Sequence, residues 1–160
     1  MTNTYNLFPI RVFHGKLIIP ININKKIIKF VDENYEQKNN ISCVNGFQYH
    51  DNFYGKKELN KFLNKYLKNV YNMKIINSWL HVLYNKSYNE PHNHIGEGVT
   101  HAGVLYLSNV NNNINFIKEN KVFEIEPKLF DYLIFPSNLF HYVLPKERYQ
   151  KRICYSFNLK

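Results

Sequence analysis

The sequence has little cysteine and no long hydrophobic stretch. Its only cysteines, Cys43 and Cys154, are too few for a disulfide framework and indicate a reducing compartment. No apolar run approaches the roughly 20 residues of a transmembrane helix, and residues 1–4 do not begin a signal peptide. We therefore expect no membrane association and an intracellular, cytoplasmic location.

Acidic residues are also scarce. The chain has 12 Asp and Glu against 21 Lys and Arg, which gives a formal net charge of +9. Such an excess favours nucleic acid or an acidic molecule as a partner. The lysines are spread along the chain rather than clustered, however, and this pattern is typical of a solvated surface. We interpret the charge as solvation, and nucleic-acid binding stays an alternative that is not favoured.

The length and composition predict one globular domain over residues 1–160. Hydrophobic residues make up 44% of the chain and aromatic residues 16%, which excludes a disordered protein. Residues 24–35 and 57–71 carry apolar side chains every three or four positions, and this spacing predicts two amphipathic helices. Residues 1–73 should therefore provide helical support and a first strand at residues 7–13, which Pro9 favours as an edge strand.

From residue 74 onward the apolar period changes to two, which predicts strands. About eight short strands follow one another over residues 74–160. This order favours a mainly β fold with N-terminal helices, in which the strands form a double-stranded β-helix, a cupin-like jelly-roll barrel. The helices need a surface to pack on, and we expect it to be the outer face of a sheet.

Two histidines stand close together in the second half. If the segment around His92 and His94 is a strand, both imidazoles project from one face, because side chains alternate with period two. Two such imidazoles form a candidate chelate that needs a third ligand. His141 follows after a gap that suits three or four short strands, and Arg152 lies on the next strand.

An ordered set of motifs resembles the Fe(II)- and 2-oxoglutarate-dependent oxygenase superfamily, and especially its small branch common in phages and marine microbes. His-x-His alone is a weak signal, but the order and spacing of the set are specific, and the resemblance covers nearly the whole chain. The set comprises residues 7–9 (LFP), Trp79, residues 92–94 (HNH), residues 102–107 (AGVLYL), residues 133–137 (LIFPS), His141 and residues 152–158 (RICYSFN).

The resemblance implies a dioxygenase that couples decarboxylation of 2-oxoglutarate to succinate and CO2 with O2-dependent oxidation of a prime substrate, by hydroxylation. It also implies that His92, His94 and His141 bind Fe(II), and that Arg152 pairs with the distal carboxylate of 2-oxoglutarate. The chemistry agrees, because non-haem Fe(II) takes three facial ligands and leaves positions open. The planar fork of arginine suits a carboxylate.

The chain departs from the superfamily at two positions. Most members have a carboxylate where this chain has His94, so Glu90 and Glu97 are rival third ligands, although a strand would need an irregularity to deliver either of them. Many relatives have serine two residues after the arginine, where this chain has Cys154. A thiol is a weaker hydrogen-bond donor, so the part of Cys154 in binding the cosubstrate is open.

Other residues could line the cosubstrate pocket. Ser156 shares a strand face with Arg152. His81, in phase with Trp79, fits either the pocket or the core, and Tyr106 has the same two interpretations. We expect Trp79 in the core, and the sequence assigns no role to His50.

Two other functions stay open on sequence grounds. One is a three-histidine, cupin-type thiol dioxygenase, which needs no 2-oxo acid. The other is a non-catalytic basic barrel that binds nucleic acid. The sequence identifies neither the prime substrate nor the oligomeric state, and if the chain is viral we expect it in the host cytoplasm.

Overall fold

The computed structural model describes residues 2–7, 10–36, 42–109, 112–147 and 149–160. Within these ranges the chain forms two helices and twelve strands. Their order is β1 (Thr2–Leu7), β2 (Ile10–Lys16), α1 (Ile21–Asn34), β3 (Cys43–Val44), β4 (Phe47–Tyr49), α2 (Lys56–Tyr71), β5 (Ile75–Leu83), β6 (Tyr88–His92), β7 (His101–Tyr106), β8 (Ile114–Lys118), β9 (Lys121–Ile125), β10 (Asp131–Pro136), β11 (Phe140–Val143) and β12 (Arg152–Leu159).

The strands form two antiparallel sheets. One has seven strands in the order β1-β2-β10-β7-β12-β5-β4, and the other has five in the order β3-β6-β11-β8-β9. From β5 to β8 each strand joins the sheet opposite to that of its predecessor, and from β9 to β12 the chain alternates in the same way. This alternation is typical of a double-stranded β-helix. The predicted mainly β jelly roll with N-terminal helices is confirmed.

Both helices pack against the outer face of the seven-stranded sheet, as the sequence predicted. The apolar stripe of α1 includes Ile27 and Val31, and that of α2 includes Leu63 and Leu67. These side chains form one buried cluster with residues of β5, β7, β10 and β12. Helix α1 begins three residues earlier than predicted, because Pro20 has a backbone angle φ that suits a helix start.

A second apolar cluster lies between the two sheets. It includes Val104, Phe116, Leu133 and Phe135, from three different strands. These strands bring the faces of both sheets together at the centre, as in other sandwiches. The cluster does not fill the whole interior, and the remaining space is the cavity described below.

The first 73 residues contain more strand than predicted. The structure has β1 and β2 where the sequence predicted one strand at residues 7–13, and it adds β3 and β4 after α1. Strand β1 lies at the edge of its sheet, while Pro9 lies outside the described residues. The single domain and its division at residue 73 stay predictions. Among the described residues, neither helix has the length and apolar character needed to cross a bilayer.

Candidate active site

Three histidines converge at one end of the five-stranded sheet. His92 ends β6, and it pairs directly with His141 on the neighbouring β11. His94 lies just beyond β6, so the predicted strand is two residues too long, but its backbone N–H donates to Ser137 O at 2.7 Å and holds the loop in place. One candidate ligand atom of each imidazole lies within 4.8 Å of the other two.

Hydrogen bonds orient all three rings. In each case Nδ1 faces an oxygen that accepts its proton, which leaves the Nε2 lone pair for a metal ion. The acceptors are Glu90 O for His92 at 2.8 Å, Asn158 Oδ1 for His94 at 2.8 Å and Leu139 O for His141 at 3.2 Å.

The environment keeps these imidazoles neutral. Burial lowers the pKa of His92, and burial together with the repulsion that a protonated His92 would exert lowers the pKa of His94 to about 4. Burial, together with the repulsion that protonated His92 and His94 would exert, lowers the pKa of His141 well below its usual value. A neutral imidazole is the form that binds a metal ion, so the three rings are ready to act as ligands.

The rival carboxylates do not join this group. Among the described residues, the three histidines form the cluster able to hold a metal ion, and no Asp or Glu belongs to it. The side chains of Glu90 and Glu97 are exposed. Glu90 contributes through its backbone carbonyl instead, as the acceptor for His92.

Arg152 is a buried cation that lacks a full set of partners. Its side chain is 3% exposed. One guanidinium nitrogen donates to the hydroxyl oxygen of Tyr106 at 3.4 Å, and the guanidinium lies 5.1 Å from the centre of that ring. Its Nε has no partner among the described residues. Burying a charge without an opposite charge costs free energy, so this arrangement fits an anion that binds beside Arg152.

One cavity of about 230 Å³ contains both groups. The three histidines and Arg152 all line it, and in the part of the chain that the structure describes no Asp or Glu does so. Trp79 also lines this cavity rather than the core, contrary to expectation, and it stacks against His94 with ring centres 5.7 Å apart. The cavity therefore combines a candidate metal site with a positively charged pocket for an anion.

The predicted cosubstrate residues divide into two groups. His81 and Ser156 line the cavity with Arg152. Cys154 and Tyr106 are fully buried in the apolar cluster between the sheets, and Tyr106 reaches the site through its contact with Arg152. Burial raises the pKa of the Tyr106 hydroxyl, so it stays protonated. Binding of 2-oxoglutarate by Arg152 and by these four residues stays a prediction.

Sequence reasoning missed several residues of the site. Ser42, Gln48 and His50 reach the cavity from the segment around β3 and β4, which is too short and irregular to give a periodic signal. Asn158 was missed as well. Its position could have indicated a role, because it lies on the same face of β12 as Arg152 and Ser156.

A family model described as "Putative 2OG-Fe(II) oxygenase" matches residues 109–158. The matched segment includes His141 and Arg152, the second part of the motif set. A search of curated proteins found no relative of this sequence.

Solved structures share the fold over most of the chain. They include a prolyl-4-hydroxylase from Pseudomonas putida, with a TM-score of 0.67, 10% identity and coverage of 93% of this chain and 91% of that one. HygX from Streptomyces hygroscopicus, solved with nickel and 2-oxoglutarate, has a TM-score of 0.68, 9% identity and coverage of 92% and 81%. A prolyl hydroxylase from Trichoplax adhaerens, solved with a peptide fragment of hypoxia inducible factor, has a TM-score of 0.65, 13% identity and coverage of 92% and 82%.

At these identities the structures show a common fold, and the family match adds the sequence relationship. Both agree with the motif set from which the resemblance was inferred. Residues 109–158 therefore match the putative 2OG-Fe(II) oxygenase family in sequence, and the chain shares its fold with the solved structures named above.

Proposed function

We propose that the protein is an Fe(II)- and 2-oxoglutarate-dependent dioxygenase that hydroxylates a prime substrate. The observation that supports this proposal is the shared cavity, with three neutral imidazoles and the incompletely paired Arg152 in its walls. A metal ion and a dicarboxylate would complete these two groups together. Fe(II) with 2-oxoglutarate and O2 supplies oxidative decarboxylation to succinate and CO2, coupled with oxidation of the prime substrate.

Each residue has a distinct role in this proposal. His92, His94 and His141 would hold Fe(II) through Nε2, and Arg152 would bind the distal carboxylate with charge-assisted hydrogen bonds. His81 and Ser156 would contact the same cosubstrate, while Tyr106 and Cys154 would support it from behind the cavity wall. Because three imidazoles are neutral, the dianionic cosubstrate offsets the metal charge.

Metal binding tests the histidines. We expect one Fe(II), or Co(II) as a stable substitute, to bind anaerobically. His92→Ala, His94→Ala and His141→Ala should each weaken binding greatly, because two imidazoles alone leave the facial set incomplete. His101→Ala is the matched control, since this histidine lies outside the lining of the cavity. Isothermal titration calorimetry measures the metal affinity. Unchanged affinity in His94→Ala would show that His94 is not a metal ligand.

Cosubstrate binding tests Arg152. Arg152→Ala should keep the metal but lose about 3–5 kcal/mol of 2-oxoglutarate binding, because one carboxylate is left unpaired. At about 1.4 kcal/mol per tenfold, this is a loss of two to three decades in affinity. The 2-oxoglutarate affinity of Arg152→Lys should lie between those of the wild type and Arg152→Ala, since lysine has the charge but lacks the planar, bidentate guanidinium. The exposed Arg11 offers a control variant, Arg11→Ala.

The readouts are anaerobic 2-oxoglutarate affinity and O2-dependent succinate release. Metal binding without either would favour the thiol dioxygenase, which needs no 2-oxo acid. Absence of metal binding, together with a nucleic-acid complex that persists near physiological salt, would favour the non-catalytic barrel.

The prime substrate is not fixed by the fold. Structural neighbours include one solved with a peptide fragment and one solved with hygromycin B. We place the activity in the cytoplasm. The two cysteines, both buried thiols that form no disulfide, support this location.

A further inference from the structure

His94 is held differently from the other two histidines. His92 and His141 each donate from Nδ1 to a backbone carbonyl two residues earlier in the chain. His94 donates to a side chain, Asn158 Oδ1, which lies 64 residues later on the opposite sheet. The orientation of two rings is therefore set by their own segments, while that of His94 depends on one remote amide.

The loop position of His94 explains this dependence. It follows the end of β6, so it lacks the strand pairing that fixes His92 and His141. Trp79 stacks on its ring at an angle of 19° and restricts its plane. Stacking does not determine which ring nitrogen carries the proton, but the hydrogen bond that His94 Nδ1 donates to Asn158 Oδ1 does.

We propose that Asn158 is a positioning residue that holds His94 in the Nδ1-protonated form, with Nε2 directed toward the metal. The proposal rests on the proposed metal role of His94. An amide oxygen accepts the Nδ1 proton without adding charge, so His94 stays a neutral ligand where most of the superfamily has a carboxylate. Strand β12 then serves the site twice, through Arg152 for the cosubstrate and through Asn158 for the metal ligand.

Two substitutions of Asn158 distinguish the effect of its hydrogen-bond acceptor from the effect of its side-chain volume. Asn158→Leu keeps a similar size but removes the acceptor, and we expect about a 10–100-fold loss of metal affinity, as is typical when the partner of a ligating histidine is removed. Asn158→Asp keeps an acceptor and should bind metal at near the wild-type affinity. Asn77→Leu is the matched control, because Asn77 is exposed and pairs with Asn158 across β5 and β12.

The single tryptophan supplies the first readout. Trp79 is the only tryptophan in the chain and stacks on His94, so Co(II) bound there should quench its fluorescence. Anaerobic Co(II) titrations of the wild type and the three variants give the affinities. Nitrogen NMR of the metal-free wild type gives the second readout, the protonated nitrogen of the His94 ring.

The outcomes distinguish this proposal from the proposed function. Weakened Co(II) binding in Asn158→Leu alone, with an Nδ1-protonated His94, supports the positioning role. Wild-type affinity in Asn158→Leu, weak binding in Asn158→Asp or an Nε2-protonated His94 would each overturn it, while the dioxygenase could still release succinate. A wild type that binds no Co(II) would refute the metal site and both proposals with it. If Asn158→Leu does not fold, the NMR result and the Asn158→Asp affinity decide.

Discussion

The two faces of β12 differ sharply in chemistry. The outward face packs against the helices and is almost completely buried, whereas the inward face carries polar groups and borders the cavity. The outward residues are Ile153, Tyr155, Phe157 and Leu159, and the inward residues are Arg152, Cys154, Ser156 and Asn158.

The outward face is closed by close packing. The ring of Phe157 lies directly against Gly103 on β7, where even a single Cβ would overlap it. Packing of this kind leaves no space for a ligand and stabilises the fold. The inward face instead keeps Arg152 buried with an incomplete set of partners. Alternate residues of β12 therefore pack in the core beneath the helices, and the residues between them face the candidate site.

Substitution on the outward face should have the largest effect. Phe157→Ala should lower the free energy of unfolding by about 3–5 kcal/mol, because it removes a buried ring and leaves a void above Gly103. Urea denaturation measures this change. The remaining folded protein should still bind metal, since Phe157 lies outside the cavity lining.

The control for this experiment is the partly exposed Phe140, where Phe140→Ala should change stability much less. The double variant Gly103→Val/Phe157→Ala sharpens the test, because valine can occupy part of the void. We expect it to be more stable than Phe157→Ala. Equal losses for Phe157→Ala and Phe140→Ala would contradict the view that this face carries the stability.

Substitution on the inward face should separate stability from function. Arg152→Met replaces a buried charge with an apolar side chain of similar length, and this removes the free-energy cost of burying a charge without an opposite charge. We expect the unfolding temperature without ligand to stay the same or rise. Wild type should gain further stability from metal with 2-oxoglutarate, in proportion to ligand binding, and Arg152→Met should lose the part that 2-oxoglutarate contributes.

Thermal unfolding with and without metal and 2-oxoglutarate makes this comparison. Arg11→Met on the exposed surface is the control and should keep the response to both. A marked loss of stability in ligand-free Arg152→Met would show that the arginine is structural.

The fold was largely predictable because it depends on periodicity. The change from helical spacing to period two near residue 74 predicts helices followed by a jelly roll, and it needs no knowledge of tertiary contacts. The strands β3 and β4 have two and three residues. Such short elements carry no periodic signal, and their pairing with β6 and β5 is decided by the rest of the sheet.

The site was predictable where it lies on strands. The phase of β12 placed Arg152 and Ser156 on one face, and the structure brings them to the cavity with the three histidines. Contacts between distant segments were not predictable. The stacking of Trp79 on His94 and the bond from His94 to Asn158 join segments that only the folded chain brings together.

The smallest expected effect concerns two neighbours on the inward face. Ser156 lines the cavity, so its hydroxyl can donate to a carboxylate oxygen of 2-oxoglutarate, whereas Cys154 is fully buried in the apolar cluster. Ser156→Ala should therefore cost about 1 kcal/mol of binding, which is about fivefold in affinity. Cys154→Ala should leave the affinity nearly unchanged and act on stability instead, because it removes volume from the cluster. Anaerobic 2-oxoglutarate titrations and urea denaturation of both variants make the comparison. If Cys154→Ala weakens 2-oxoglutarate binding more than Ser156→Ala, then the thiol has the place of the serine found in many relatives, and the cavity extends past the wall seen here.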